Sequence, residues 1–229
     1  MNALTSSLGL IALTVAAFAG GMALYQRLGK LPILQPVLLA IVAIAALLLA
    51  TGLPYERYFE GTRPLHSLLG PAIVALAVPL YENLKKARAS IVPLLGSVLL
   101  GGVAVTGSAL VIGWVFGLDR VMELSLTTKS VTAPIALSIA DKIGGSAALT
   151  ILSVFTTGIL GVIVTPSILR RIGVTDPVVS GLTLGITSHA FGIARSAELG
   201  SEAVAFATLG MALMGCASAL IVPVLFHAL

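Results

Sequence analysis

The chain has 229 residues, 58% of them apolar and only 10% charged, with a net charge of +4. A soluble domain carries about 25% charged residues, so this composition excludes an ordinary water-soluble fold. With no basic stretch interleaved with aromatics, it also argues against a nucleic-acid-binding surface, and a lone Cys216 excludes an intrachain disulfide or a cysteine metal cluster.

The first apolar run, Leu4 to Leu24, has no Lys or Arg before it and is followed by Arg27 and Lys30. Signal peptides have the opposite arrangement. Despite the small-x-small pattern Ala17-Phe18-Ala19, the run is therefore read as a retained span. Leu31 to Tyr55 is a second span, with Pro32 and Pro36 in its first turns, where proline is tolerated. A polar loop, Glu56 to Arg63, leads into Pro64 to Tyr81, which is apolar but interrupted by Gly70-Pro71 and Pro79. Gly70 and Pro71 either line a cavity or only bend a packing helix. The loop Glu82 to Ser90 holds Lys85, Lys86 and Arg88. Ile91 to Leu118 is a long span whose glycines predict close helix packing.

Leu124 to Ala140 is only 17 residues long and holds Lys129, several hydroxyl residues and Pro134. Ser146 to Leu169 is a clean span closed by Arg170 and Arg171. Pro177 to Ala194 is again short and polar, and Ala203 to Leu229 is the last span. His66 and His227 lie near segment ends and read as interfacial; Cys216 reads as an inert small hydrophobe. Runs of this length suit transmembrane helices, and their continuity argues against an alternating β-barrel.

The two short polar segments are related. Shifted by 58 residues, Leu124 to Ser138 lies over Leu182 to Ser196, and six positions are identical, Ser130 over Ser188 among them. The register continues without a gap through Thr150 over Thr208 and Ile163-Val164 over Ile221-Val222. Each unit is a short broken segment followed by a long clean span. The expected organisation is an N-terminal set of helices, 1–118, followed by a duplicated unit of 119–176 and 177–229.

Charge counting gives the topology. If all eight segments cross, the loops carry seven basic residues on one side and five on the other. If the two short segments enter and leave on the same side, Arg27, Lys30, Lys85, Lys86, Arg88, Arg170, Arg171 and Arg195 share a face. Arg57, Arg63, Arg120 and Lys142 share the other. The positive-inside rule prefers the second arrangement. The expected fold is an all-α integral membrane protein of about six transmembrane helices plus two re-entrant segments in an inverted repeat, an arrangement found in transporters.

Lys129 carries the most information about chemistry. A lysine at the bilayer centre costs roughly 2.5–3.5 kcal/mol on insertion scales, so it either faces a polar cavity or snorkels to an interface. Thr128, Ser130 and Thr132 beside it suggest a cavity. Thr132-Ala133-Pro134 reads either as a helix restart, aiming a positive helix end inward, or as a repaired proline kink. In the second unit Ser188, His189 and Gly192 sit mid-segment. His189 is either a hydrogen-bonded core residue or a ligand. Arg195 reaches a substrate, pairs with Glu198, or lies at the membrane surface. Enzyme motifs are absent: there is no phosphate-binding loop, H-E-x-x-H or nucleophile elbow.

At Gly70 to Tyr81 (GPAIVALAVPLY), Lys129 to Ala136 (KSVTAPIA) and Ser188 to Glu198 (SHAFGIARSAE), the chain resembles the LrgB/CidB family over essentially its whole length. That family is also similar to the C-terminal half of the plastid glycolate/glycerate translocator. The resemblance implies a multi-pass protein of the bacterial inner membrane that works beside a smaller LrgA/CidA-like subunit. Two roles follow from it: secondary transport of small monocarboxylates of the pyruvate, glycolate, glycerate and lactate class, or antiholin-like modulation of murein hydrolase activity and autolysis. In the first, Thr128, Lys129, Ser130, Thr132, Pro134, Ser188, His189, Gly192 and Arg195 are the expected carboxylate-binding residues. No cofactor or metal is expected, and a homo-oligomer remains open.

Overall fold

The computed structural model describes residues 6–227. The outer ends of the first and last expected spans, 4–5 and 228–229, lie outside the described residues. Among the described residues the chain is helical, with no strand. It divides into two compact units, Met1–Ala75 and Leu76–Leu229.

In the first unit, α1 (Ser7–Arg27) is started by the Ser6 hydroxyl, which accepts the Gly9 N–H. A 3-10 turn, Pro32–Leu34, precedes α2 (Pro36–Thr51), which stops where Gly52 adopts a left-handed φ of 63°. The two helices pack where Gly21 meets the Pro36 carbonyl; a Cβ there would lie 2.9 Å from that oxygen. The expected polar loop after α2 is itself helical, α3 (Tyr55–Gly61), tied to α1 by a 2.8 Å bond between the Tyr58 and Thr14 hydroxyls. The short α4 (Arg63–Ser67) and α5 (Leu69–Ala75) follow. His66 is exposed and stacks on Phe59, with ring centroids 4.6 Å apart.

The second unit opens with two short helices: α6 (Ala77–Glu82), the end of the expected third apolar segment, and α7 (Leu84–Ala89), where a loop was expected. The long α8 (Ile91–Val115) comes next, then α9 (Arg120–Thr127), α10 (Ala133–Ile143), α11 (Ala147–Arg171), α12 (Pro177–Ser196) and α13 (Ser201–His227). Asp119 and Asp176 start α9 and α12 by accepting the N–H groups of Met122 and Val178. Such acidic caps satisfy backbone donors that the helix leaves open.

The first short polar segment is a helical hairpin. The Ser146 N–H donates to the Ser125 hydroxyl across 2.8 Å, although the residues are 21 positions apart. A straight helix would separate them by about 30 Å. The chain therefore enters along α9, reverses over residues 128–132 and returns along α10. At Gly144 a left-handed φ of 85° ends α10, and α11 then departs.

The second short segment is a hairpin as well. Within α12, His189 alone has non-helical angles, φ 43° and ψ −123°. A Cβ on Gly192 would run into the Leu184 carbonyl. Eight residues of straight helix would hold these positions about 12 Å apart. By length and composition Pro177–Leu199 passes for a membrane span, one of six among the described residues, yet it turns back halfway. In the 58-residue register the reversal at His189 falls on Val131, inside the reversal of the first hairpin.

Contacts at the helix ends fix which ends share a face. At one face Lys86 pairs with Glu202 at the start of α13, and Ser90 and Val178 line one cavity where α8 and α12 begin. At the other, Gly113 of α8 packs on Glu123, and the Arg120 guanidinium lies over the Phe226 ring at 5.4 Å. The first arm of α12 runs parallel to α13: Gly181 abuts Ala203, and Gly185 abuts Ala207. A straight α12 joined to α13 by a short connection would run antiparallel. The hairpins thus enter from opposite faces, which is the inverted arrangement expected from charge counting. Lys85, Lys86, Arg88, Arg170, Arg171 and Arg195 gather on one face of this unit, against Arg120 and Lys142 on the other.

Candidate functional site: the two hairpin tips

Both tips lie against the middle of the long helices. Val131 of the first tip and Ile186, just before the second, belong to one buried cluster with Val98, Val154 and Met214. The two short polar segments therefore meet through a shared apolar core.

At the first tip Thr127, Thr128 and Ser130 are buried. Thr127 donates to the Leu124 carbonyl at 2.7 Å, and Thr128 to the Ser125 carbonyl at 3.4 Å. These bonds occupy carbonyls that α9 leaves open at its C-terminus. Thr132 stands at the N-cap position of α10 in extended conformation, and Pro134 lies in the first turn, as a helix restart requires. The Thr132 hydroxyl makes no capping bond, so the first N–H groups of α10 lack the partner expected from sequence. Pro134 is exposed.

Lys129 is half-buried, and its Nζ donates to the Val105 carbonyl of α8 at 3.0 Å. Ser108 donates to the same oxygen at 2.8 Å. The ammonium thus ties the first tip to the middle of a neighbouring helix. Behind this tip, Ser125, Ser153 and Thr150 form a buried polar seam; Ser153 donates to the Thr150 carbonyl at 2.8 Å. Among the described residues the Thr150 hydroxyl is buried without a hydrogen-bond partner.

The second tip is seated on α11. Ser188 and His189 are fully enclosed, at 0% and 3% exposure. His189 Nε2 lies 3.2 Å from the Val154 carbonyl. A carbonyl only accepts, so that nitrogen carries the proton. Gly158 and Gly161 make the seat: a Cβ on Gly158 would lie 2.9 Å from His189 Cε1, and one on Gly161 would run into the Ser188 hydroxyl. Sequence reasoning missed both glycines. Their signal was a Gly-x-x-Gly step in an otherwise clean span.

The sequence pattern of the LrgB-like family matches residues 14–228. The chain belongs to this family. Among relatives, YxaC of Bacillus subtilis is 38% identical, covering 95% of this chain and 96% of its own length. Proteins named Holin-like protein CidB from Staphylococcus epidermidis and Staphylococcus aureus are each 32% identical over 98% of both chains. No solved structure matches.

The other expected site residues of this LrgB-like chain differ in their surroundings. Arg195, near the end of α12, pairs with Glu198 at 2.6 Å, one of the alternatives the spacing left open. Gly192 is buried against Leu184, where it permits the hairpin to close. Gly70 and Pro71 are exposed on α5, in the other compact unit. Cys216 is exposed along the apolar α13. No group of three or more His, Cys, Asp or Glu that would hold a metal occurs among the described residues.

Proposed function

We propose that this chain is a holin-like protein of the bacterial inner membrane that modulates murein hydrolase activity and autolysis beside a smaller LrgA/CidA-like subunit. The observation that supports this best is the end-to-end match to relatives named Holin-like protein CidB. On this reading the protein is a membrane regulator and not an enzyme. The test is to compare cells with and without the chain for released murein hydrolase activity and for lysis rate after growth stops. The reading expects both to change together. Unaltered hydrolase activity and lysis would contradict it.

A second reading, secondary transport of small monocarboxylates, is favoured by one structural observation: two helical hairpins entering from opposite faces with tips in one core. Transporters place substrates at the interrupted ends of such helices, where backbone groups are released from helical pairing. Thr128, Lys129, Ser130, Thr132 and Pro134 would serve from the first tip, and Ser188, His189 and Gly192 from the second. Lys129 would supply charge, the hydroxyls directed hydrogen bonds, and His189 coupling to protonation. The duplicated unit 119–229 would carry this site. Proteoliposomes separate the readings. Saturable uptake of radiolabelled pyruvate or glycolate, competed by the unlabelled acid, supports transport; uptake no faster than in empty vesicles contradicts it.

A further inference from the structure

At the face where α12 begins, a cavity of about 290 Å3 is lined by four stretches of chain. The end of α11 contributes Pro166 and Arg170, the following connection Thr175, the first arm of α12 Ser180 and Leu184, and the returning arm Arg195. We propose that this cavity is an anion site, separate from the hairpin tips, that takes a small oxyanion with a short apolar part. The inference rests on the cavity and not on the transport reading, and it gives Arg195 a role of its own.

Arg170, itself exposed, and Arg195, 25 positions on in the sequence, line one small hollow. Like charges facing a shared space repel; Glu198 offsets that of Arg195, and an anion in the hollow would offset that of Arg170. Arginine presents a planar fork of donors that matches a carboxylate or phosphate in a bidentate way. Ser180, in the first turn of α12, is 8% exposed and adds a hydroxyl on the side where the helix end is positive. Leu184 and Pro166 make the inner wall apolar, which suits a hydrocarbon stub and not a bare inorganic ion. The volume lies just below the usual range for ligand pockets, about 300 to 1,000 Å3, so only a small ligand fits.

Glu198 gives the site a built-in competitor. Its carboxylate holds the Arg195 guanidinium at 2.6 Å from the next turn of the chain. An incoming oxyanion takes over part of that role, so removing the Glu198 charge strengthens binding while removing Arg170 weakens it. The same chemistry suits a soluble short-chain carboxylate or an anionic lipid headgroup with the start of its acyl chain.

The test uses the full chain, purified in a neutral detergent, with butyrate as the soluble probe and phosphatidylglycerol nanodiscs as the lipid probe. Binding is read by calorimetry or by ligand-dependent thermal shift. Butyrate affinity should fall tenfold or more in Arg170→Gln, recover partly in Arg170→Lys, and rise several-fold in Glu198→Gln. Stabilisation by phosphatidylglycerol but not butyrate, lost in Arg170→Gln, would also support the site and assign it to lipid. Binding that is unchanged in Arg170→Gln, or that disappears in Lys129→Ala instead, would overturn the proposal while leaving the hairpin-tip site standing. Melting temperatures without ligand identify any variant that fails to fold, and Arg170→Lys then carries the test.

Discussion

Ser188 lies directly over Gly161: its hydroxyl fills the space where any other residue on α11 would place a Cβ. This contact seats the second hairpin tip on a long helix, and nothing larger than glycine fits there without moving the tip. Gly161→Ala should destabilise the protein by about 1–3 kcal/mol, the usual cost of overpacking a close contact. Gly107→Ala, in α8 with nothing within 4 Å of the added carbon, should be neutral or slightly stabilising. Thermal unfolding of both variants in the same detergent checks this pair. Equal melting temperatures would mean that the tip does not rest on α11.

His189 holds backbone angles that favour glycine, at a cost of about 1–3 kcal/mol for a residue with a side chain. It recovers part of that through its bond to the Val154 carbonyl. His189→Ala keeps the strain and loses the bond, so it should destabilise. His189→Gly loses the bond but relieves the strain, and should be the more stable of the two variants by about 1 kcal/mol or more. If His189→Ala proves the more stable, the segment does not reverse at this residue.

Lys129 donates to the Val105 carbonyl. On the transport reading the ammonium is shared with a carboxylate, and a charge-assisted hydrogen bond is worth about 1.5–3 kcal/mol. Lys129→Ala should then weaken binding of the transported acid by roughly one to two orders of magnitude, at 1.4 kcal/mol per decade, while the protein still inserts. Lys129→Arg keeps the charge in a different shape and should lose part of the affinity. Unchanged affinity in Lys129→Ala, measured with folded yield, would reduce the lysine to a tether between the first tip and α8.

Much of this architecture is legible in the residues because the membrane makes sequence speak plainly. Long uncharged runs such as Ile91 to Leu118 and Ser146 to Leu169 have little choice but to be helices. Lys129, Pro134 and the 58-residue register mark the broken segments, and basic loops such as that of Arg170 and Arg171 orient them. Non-local packing is not legible in this way. Nothing near Gly158 or Gly161 announces that Ser188 and His189 will settle there. Nor does Arg170, at an ordinary helix end, announce that it shares a cavity with Arg195. The reversal at His189 is hidden for another reason: local preference puts a glycine at such a position, and Gly192, three residues on, draws attention away from it. Thr132 shows the limit of motif reading, since it takes the cap position without making the cap bond.

The claim on which the rest depends is that both short segments turn back, one from each face. Single cysteines placed at Asp119, Lys142, Asp176 and Ser201, all exposed at the hairpin ends, test it directly in a Cys216→Ala background. Intact cells or oriented vesicles are treated with a membrane-impermeant maleimide from one side and then from the other. The structure predicts that positions 119 and 142 label together from outside, and 176 and 201 together from the cytoplasmic side, where the basic residues gather. Labelling of 119 and 142 from opposite faces, or of 176 and 201 from opposite faces, would show a segment crossing straight through and would contradict the paired hairpins.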